Sequence, residues 1–232
     1  MDGNPLIKAI ELIVEMDSAL LGIVALSLQV SLSAALIAAL IGLPLGAVIA
    51  LYRFRGRGAV VASLNALMGL PPVVAGLMVY LLLSRAGPLG PLGLLFTPTA
   101  MVIVQTVLVF PIIAALARQV IEDLWDEYRE QLQSLGSGRL RAIPTLLWDA
   151  RFSLITVVLA GFGRASAEVG AVLIVGGNIE GVTRVMTTAI ALETSRGDLA
   201  LALGLGLILM VLALLVNFTI FFVGEHGKRR LG

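Results

Sequence analysis

The chain has no cysteine, a single histidine and few charges. Without cysteine there is neither a disulfide nor a thiolate metal site. The one histidine, His226, lies in a charged C-terminal stretch and cannot build a metal site alone. Charged residues are 13% of the 232 positions, against 59% hydrophobic. A soluble domain rarely carries so little charge, so composition points to an integral membrane protein embedded in a lipid bilayer. A net charge of +1 gives no electrostatic reason to expect nucleic acid as a partner. The only lysines are Lys8 and Lys228. Arg229 follows Lys228 where a phosphate-binding loop needs Ser or Thr, and Phe222 stands where it needs Gly. The chain is therefore not expected to be an enzyme that hydrolyses ATP by that chemistry. No Ser-His-Asp, zinc-protease or paired-carboxylate pattern stands out, and no cofactor or metal is expected in this chain. The N-terminal residues are acidic rather than basic, with no small-residue cleavage pattern, so a cleavable signal peptide is not expected. There is no strong internal repeat, which weakens the case for an inverted-repeat carrier.

What is present is a series of membrane-length apolar runs. Residues 6–17 are amphipathic at helical spacing, with Leu6, Ile7, Ile10, Ile13 and Val14 on one face. They suit either a helix on the membrane surface or a first turn of the next helix. Transmembrane helices are expected over 20–51, 60–83, 99–117, 152–175 and 200–223, since roughly 20 apolar residues cross a bilayer. The fold expected is a single all-α transmembrane domain of five spans over 1–232. Pro71 and Pro72 interrupt the second span. This is either a packing kink or a break lining a pathway, where a cavity or neighbours satisfy the freed backbone. In the fourth span Arg164 and Glu168 are four residues apart, hence on one helical face. Ionisable groups at such depth are functional candidates; the alternatives are a self-neutralising packing pair and a proton relay. Gly163, Ala167 and Gly170, with Gly204 and Gly206, are small residues suited to close helix packing.

Five spans put the two ends on opposite sides. With the C-terminus inside, Arg53, Arg55, Arg57, Arg118, Arg129, Arg139, Arg141, Arg151, Lys228, Arg229 and Arg230 are cytoplasmic. Lys8, Arg85, Arg184 and Arg196 are outside and Arg164 is in the membrane, so the count is eleven against four. The expectation is N-terminus outside and C-terminus cytoplasmic. That orientation puts the longest charged, loop-compatible segment, Glu127–Arg151, in the cytoplasm. Its first half reads as a short helix with Tyr128, Leu132 and Leu135 on one face, ended by Gly136-Ser137-Gly138. Pro144 stands where a new helix could begin.

Glu130-x5-Gly136 resembles the Glu-Ala-Ala-x3-Gly coupling loop of ABC importer permeases, with Gln131 and Leu132 in place of the two alanines. Trp148-Asp149 replaces the Leu-Pro found downstream in that family. LPPVVAGL (Leu70–Leu77), GPLGPLGLLFTPTA (Gly87–Ala100) and GRASAEVGAVLIVGGN (Gly163–Asn178) resemble the molybdate, tungstate and sulfate permeases, and the compact chain is most similar to tungstate permeases. The resemblance implies a type I importer permease fold in a prokaryotic inner membrane. It implies a homodimer, two ABC ATPase subunits carrying ATP and Mg, and an extracytoplasmic oxyanion-binding protein. It implies a cytoplasmic coupling loop over 126–143, in which Glu127, Glu130, Gln131, Leu132, Leu135, Gly136 and Arg139 meet the ATPase. Pro71, Pro72, Arg164, Glu168, Asn178 and Thr187 are the pathway or gate candidates. Thr97, Thr99, Thr183 and Thr188 add hydroxyl donors that suit an oxyanion, and no carboxylate cluster suits a metal cation. Tungstate ranks first, molybdate second and sulfate third; the other class considered is a non-transport membrane scaffold.

Overall fold

The structure is a computed structural model that describes residues 5–15 and 17–231, with side chains for 6–15 and 17–225. The candidate surface helix therefore includes one residue, Met16, outside the described set, and the side chains of the basic C-terminal tail also lie outside it. Among the described residues every regular element is helical. In chain order these are α1 (Pro5–Val14), α2 (Ser18–Leu51), α3 (Arg57–Met68), α4 (Pro72–Leu83), α5 (Pro98–Ser134), α6 (Arg139–Asp149), α7 (Arg151–Ser166), α8 (Gly170–Gly176), α9 (Met186–Arg196) and α10 (Leu199–Leu231), with one 3₁₀ turn at Gly90–Leu92.

Local chemistry sets several of these ends. Asp17 Oδ1 accepts the Leu20 N–H at 2.9 Å and so caps α2. Asp198 does the same for α10 through the Leu201 N–H at 3.2 Å. Pro72 opens α4 at a position whose N–H has no helical partner anyway, and Pro71 supplies the extended residue before it. Pro44 and Pro111 lie inside α2 and α5. Each removes one helical hydrogen bond, yet the helices run on, because in an apolar surrounding the remaining backbone groups find partners only within the helix.

Among the described residues three helices are long and apolar enough to cross a membrane: Ser18–Leu51, Pro98–Ser134 and Leu199–Glu225. Two bent pairs, α3 with α4 and α6 with α7, bring the possible spans to 5. The pairing differs from the run expected over 152–175. That run is two helices, α7 and α8, and α7 pairs instead with α6 before it at a bend of 74°. The helix expected to begin at Pro144 begins at Arg139, with Pro144 inside it. The Gly138 carbonyl accepts the Ala142 N–H at 3.1 Å, which starts the helix ahead of the proline.

The chain divides into two compact units. One comprises Met1–Ala34, Pro71–Gln105 and Gly163–Leu215; its core gathers Leu20, Met186, Ala189 and Leu205. Within it α4 lies directly on α8. A Cβ on Gly76 would stand 2.8 Å from the Ala171 Cα, so only glycine permits that approach. Gly170 also serves close packing, against Val73, whereas Gly206 faces open space. The other unit comprises Ala35–Leu70, Thr106–Phe162 and Val216–Gly232. Its main core joins the end of α2, the middle of α5 and the buried face of α6 through Leu51, Ile121, Trp125, Ala142 and Leu146.

Candidate functional site

The candidate coupling segment is built on the far end of α5. The helix is not a short separate element: it continues without a break from the apolar Pro98 end to Ser134. At about 1.5 Å per residue its charged tail projects well past the apolar stretch. Trp125 is buried, and Tyr128 and Leu132 pack against the same core, so one face of the tail is fixed on α6. Glu127, Glu130 and Gln131 point away and are exposed. Leu135 does not join Tyr128 and Leu132 in the core; it lies past the helix end and is 81% exposed. The helix is closed by two reverse hydrogen bonds, Ser137 N–H to Leu132 O at 2.9 Å and Gly136 N–H to Gln133 O at 3.0 Å. That pattern requires a left-handed residue at Gly136, whose φ is +74°. No atom lies within 4 Å of a Cβ built there, so backbone conformation, not space, demands glycine. Arg139 follows, exposed, as the first residue of α6. Leu140 and Trp148 on α6 are 69% and 71% exposed, so the segment presents apolar as well as charged groups.

A neighbouring node was not foreseen from the sequence. Glu122, on α5, takes two arginines at once. Arg57 Nη2 meets its Oε1 at 2.5 Å, and Arg118 one turn back meets its Oε2. Arg57 Nε also donates to the Ile49 carbonyl at 2.8 Å, which ties the turn after α2 to the root of the candidate coupling tail. The Arg118–Glu122 spacing was visible; the partner 65 residues away was not.

The pathway candidates belong to the other unit. Pro71 is exposed and Pro72 half-buried at the start of α4. Arg164 and Glu168 do pair, at 2.7 Å, but they are not on one helix face. The helix stops at Ser166, and Glu168 sits in the break before α8. Its side chain is 5% exposed against 37% for Arg164. Its Oε1 accepts the Ala171 N–H at 3.2 Å, and its backbone carbonyl accepts the Thr187 hydroxyl at 2.8 Å. Glu168 and Thr187 are thus brought together, as backbone anchors for the ends of α8 and α9. Asn178 adopts φ +51° in the turn after α8, and its Nδ2 donates to the Thr188 carbonyl at 3.3 Å.

The hydroxyls expected to face an oxyanion are largely engaged by backbone. Thr97 donates to Leu94 O, Thr183 to Gly176 O, Thr187 to Glu168 O and Thr188 to Val185 O. A hydroxyl that donates to a carbonyl has no proton left for an anion. The serine that matters to α9 is Ser27 on α2, whose Oγ accepts the Met186 N–H at 2.7 Å. Between these elements lies a cavity of about 10 Å³ lined by Ser27, Ser31, Gln105, Glu168 and Thr187. It has room for about one water and none for a tetrahedral oxyanion. Gln105 donates to Ala165 O at 3.1 Å there. Among the described residues no group of three or more His, Asp or Glu side chains is arranged to hold a metal.

Residues 42–231 match the family described as binding-protein-dependent transport system inner membrane component. The chain is 41% identical over 218 residues to the tungstate uptake system permease protein TupB of Peptoclostridium acidaminophilum, covering 94% of this chain and 96% of that one. It is 39% identical over 203 residues to a probable anion ABC transporter permease protein of Haloferax volcanii, covering 85% and 88%. The sulfate transport system permease protein CysT of Salmonella typhimurium is more distant, at 28% over 214 residues, 88% of this chain and 77% of that one. The helical architecture, the apolar spans and these matches agree: the chain belongs to the binding-protein-dependent transport system inner membrane component family, as a multi-pass, non-enzymatic permease subunit of the inner membrane.

Proposed function

We propose that the chain is the membrane-spanning subunit of an ATP-driven importer for a tetrahedral oxyanion, with tungstate ahead of molybdate and sulfate. The observation that carries the reading is the near-full-length kinship with a tungstate permease, far above the identity to the sulfate permease. In this reading two copies form the pathway and two ATPase subunits bind ATP and Mg. A binding protein delivers the anion from outside. The exposed Glu127, Glu130, Gln131, Leu135, Gly136 and Arg139 surface enters a cleft on the ATPase, with Leu132 holding it to α6 from below. The N-terminus faces outward and the coupling segment inward in this reading, which the arginine distribution supports.

With Thr97, Thr183, Thr187 and Thr188 donating to backbone carbonyls, this chain in our reading conducts rather than stores its substrate, and the binding protein discriminates. The functional test is the reconstituted complex, with each anion supplied alone. Tungstate should stimulate ATP hydrolysis and uptake at the lowest concentration. Stimulation by sulfate alone, or by a sugar or amino acid, overturns the substrate. Absence of a co-purifying ATPase favours a scaffold. Orientation is tested with single cysteines, which the cysteine-free chain accepts cleanly. Gly87 is a poor site, because a Cβ there would stand 2.1 Å from the Leu81 carbonyl. Glu180 and Arg55 are exposed and suitable. Glu180→Cys should react with an impermeant reagent from outside and Arg55→Cys should not; the reverse result removes the coupling assignment.

A further inference from the structure

A second site lies in the unit that carries the coupling segment. The later half of α2 and the start of α7 leave an apolar groove of about 580 Å³ between them, within the roughly 300–1,000 Å³ range of small-ligand pockets. On α2 its wall is a helical stripe that includes Leu36, Leu40 and Leu43, closed by Pro44. On α7 it is Leu154, Ile155 and Val158. Leu36 and Leu40 are 64% and 78% exposed, so nothing among the described residues covers the groove there. One lining residue is charged: Arg151, at the first position of α7.

The setting of Arg151 says what covers the groove. Its guanidinium lies 5.1 Å from the Trp148 ring centroid and 4.8 Å from that of Phe152, and Nη1 donates to the Trp148 carbonyl at 2.7 Å. Among the described residues no carboxylate reaches it within 4.0 Å. Most of the donors on its fork are thus open to an anion. Trp148, 71% exposed at the bend between α6 and α7, has the amphipathic character of residues that settle at the lipid headgroup level.

A cation with aromatic neighbours at the mouth of an apolar groove in a membrane protein matches one molecule, a lipid with an anionic headgroup and an acyl chain. A second copy of this chain fits less well. Its apolar stretches 18–51, 57–83, 98–117, 151–166 and 199–224 hold no Asp or Glu, so a helix laid in the groove would leave Arg151 without an anion. We propose that the groove binds an anionic phospholipid, its phosphate on Arg151 beside Trp148 and one acyl chain along Leu40 and Ile155.

The test uses the full-length protein in mixed micelles with phosphatidylglycerol or phosphatidylcholine. The chain has only two tryptophans, and Trp125 is buried, so fluorescence quenching by brominated lipid reports on Trp148 without any substitution. Brominated phosphatidylglycerol should quench at about fivefold lower mole fraction than the choline lipid, the factor expected for one arginine. Arg151→Gln should erase that preference and Arg151→Lys should keep most of it. Leu40→Trp, which fills the groove, should lower retention of both lipids in native mass spectrometry. Equal quenching by the two lipids overturns the proposal, as does a preference that survives Arg151→Gln. A Leu40→Cys variant that forms a disulfide between copies assigns the groove to a protein interface instead.

Discussion

Arg118–Glu122 and Arg164–Glu168 have the same signature in the sequence, an arginine four residues before a glutamate in or beside an apolar helix. The structure makes different objects of them. Glu122 stays on an unbroken helix, is 31% exposed and is shared by Arg118 and Arg57. Glu168 leaves the helix, is 5% exposed and spends its other oxygen on the Ala171 N–H. The first is a surface clamp holding a turn to the base of the candidate coupling tail. The second is a buried carboxylate that replaces missing helical hydrogen bonds at a break and carries its arginine as counter-charge. Spacing alone reports that two groups can meet; burial and the fate of the backbone decide what the meeting does.

The largest effect should come from removing the cation of the buried pair. Arg164→Gln leaves Glu168 unpaired where water reaches it poorly. Because Arg164 is itself 37% exposed, the cost should fall below the usual figure for buried pairs, at about 2 kcal/mol. Glu168→Gln should be milder, under about 1 kcal/mol, since the amide oxygen can still accept the Ala171 N–H and no buried anion is left unpaired. Thermal unfolding of the two variants in detergent gives the order. If Glu168→Gln is the more damaging and also abolishes transport, the carboxylate acts on the substrate directly and the anchor reading fails.

Next comes the candidate coupling turn. Gly136→Val puts a β-branched residue at φ +74°, a strain of roughly 1–2 kcal/mol. Gly136→Asn should cost less, because asparagine tolerates that region. No neighbour lies within 4 Å to be displaced, so both variants should insert and stay folded. Transport-linked ATP hydrolysis should be lost in the valine variant and largely kept in the asparagine one. Full activity in Gly136→Val would remove this turn from the coupling surface.

Much of this fold was legible because lipid imposes long apolar runs, and those runs are what the helices follow. The turn at Gly136 was legible for a similar reason: glycine after a charged amphipathic stretch has few other uses. The break at residues 167–169 was not. Ala167, Glu168 and Val169 contain neither proline nor glycine, and the interruption is sustained by distant partners, above all the Thr187 hydroxyl on the Glu168 carbonyl. The start of α6 was misjudged because Pro144 looked like an N-terminal residue, whereas the hydrogen bond from Ala142 to Gly138 begins the helix ahead of it. The threonines were legible as donors and not as donors already used.

The smallest effect separates the two pairs most cleanly. Glu122→Gln removes the shared charge from a carboxylate that is 31% exposed but leaves an amide oxygen that can still accept from Arg57 or Arg118, so the loss should be about 1 kcal/mol at low salt. Such a contribution depends on charges that ions can reach. The screening length falls from about 10 Å at 0.1 M to about 3 Å at 1 M salt. The gap in stability between wild type and Glu122→Gln should therefore narrow as salt rises. The gap for Arg164→Gln should hold nearly constant, because ions do not enter around Glu168. Measuring both gaps across that salt range in the same detergent controls for effects of salt on the micelle. Parallel salt dependence in the two variants would mean that Glu168 is reached by bulk ions, and the contrast between surface clamp and buried anchor would collapse.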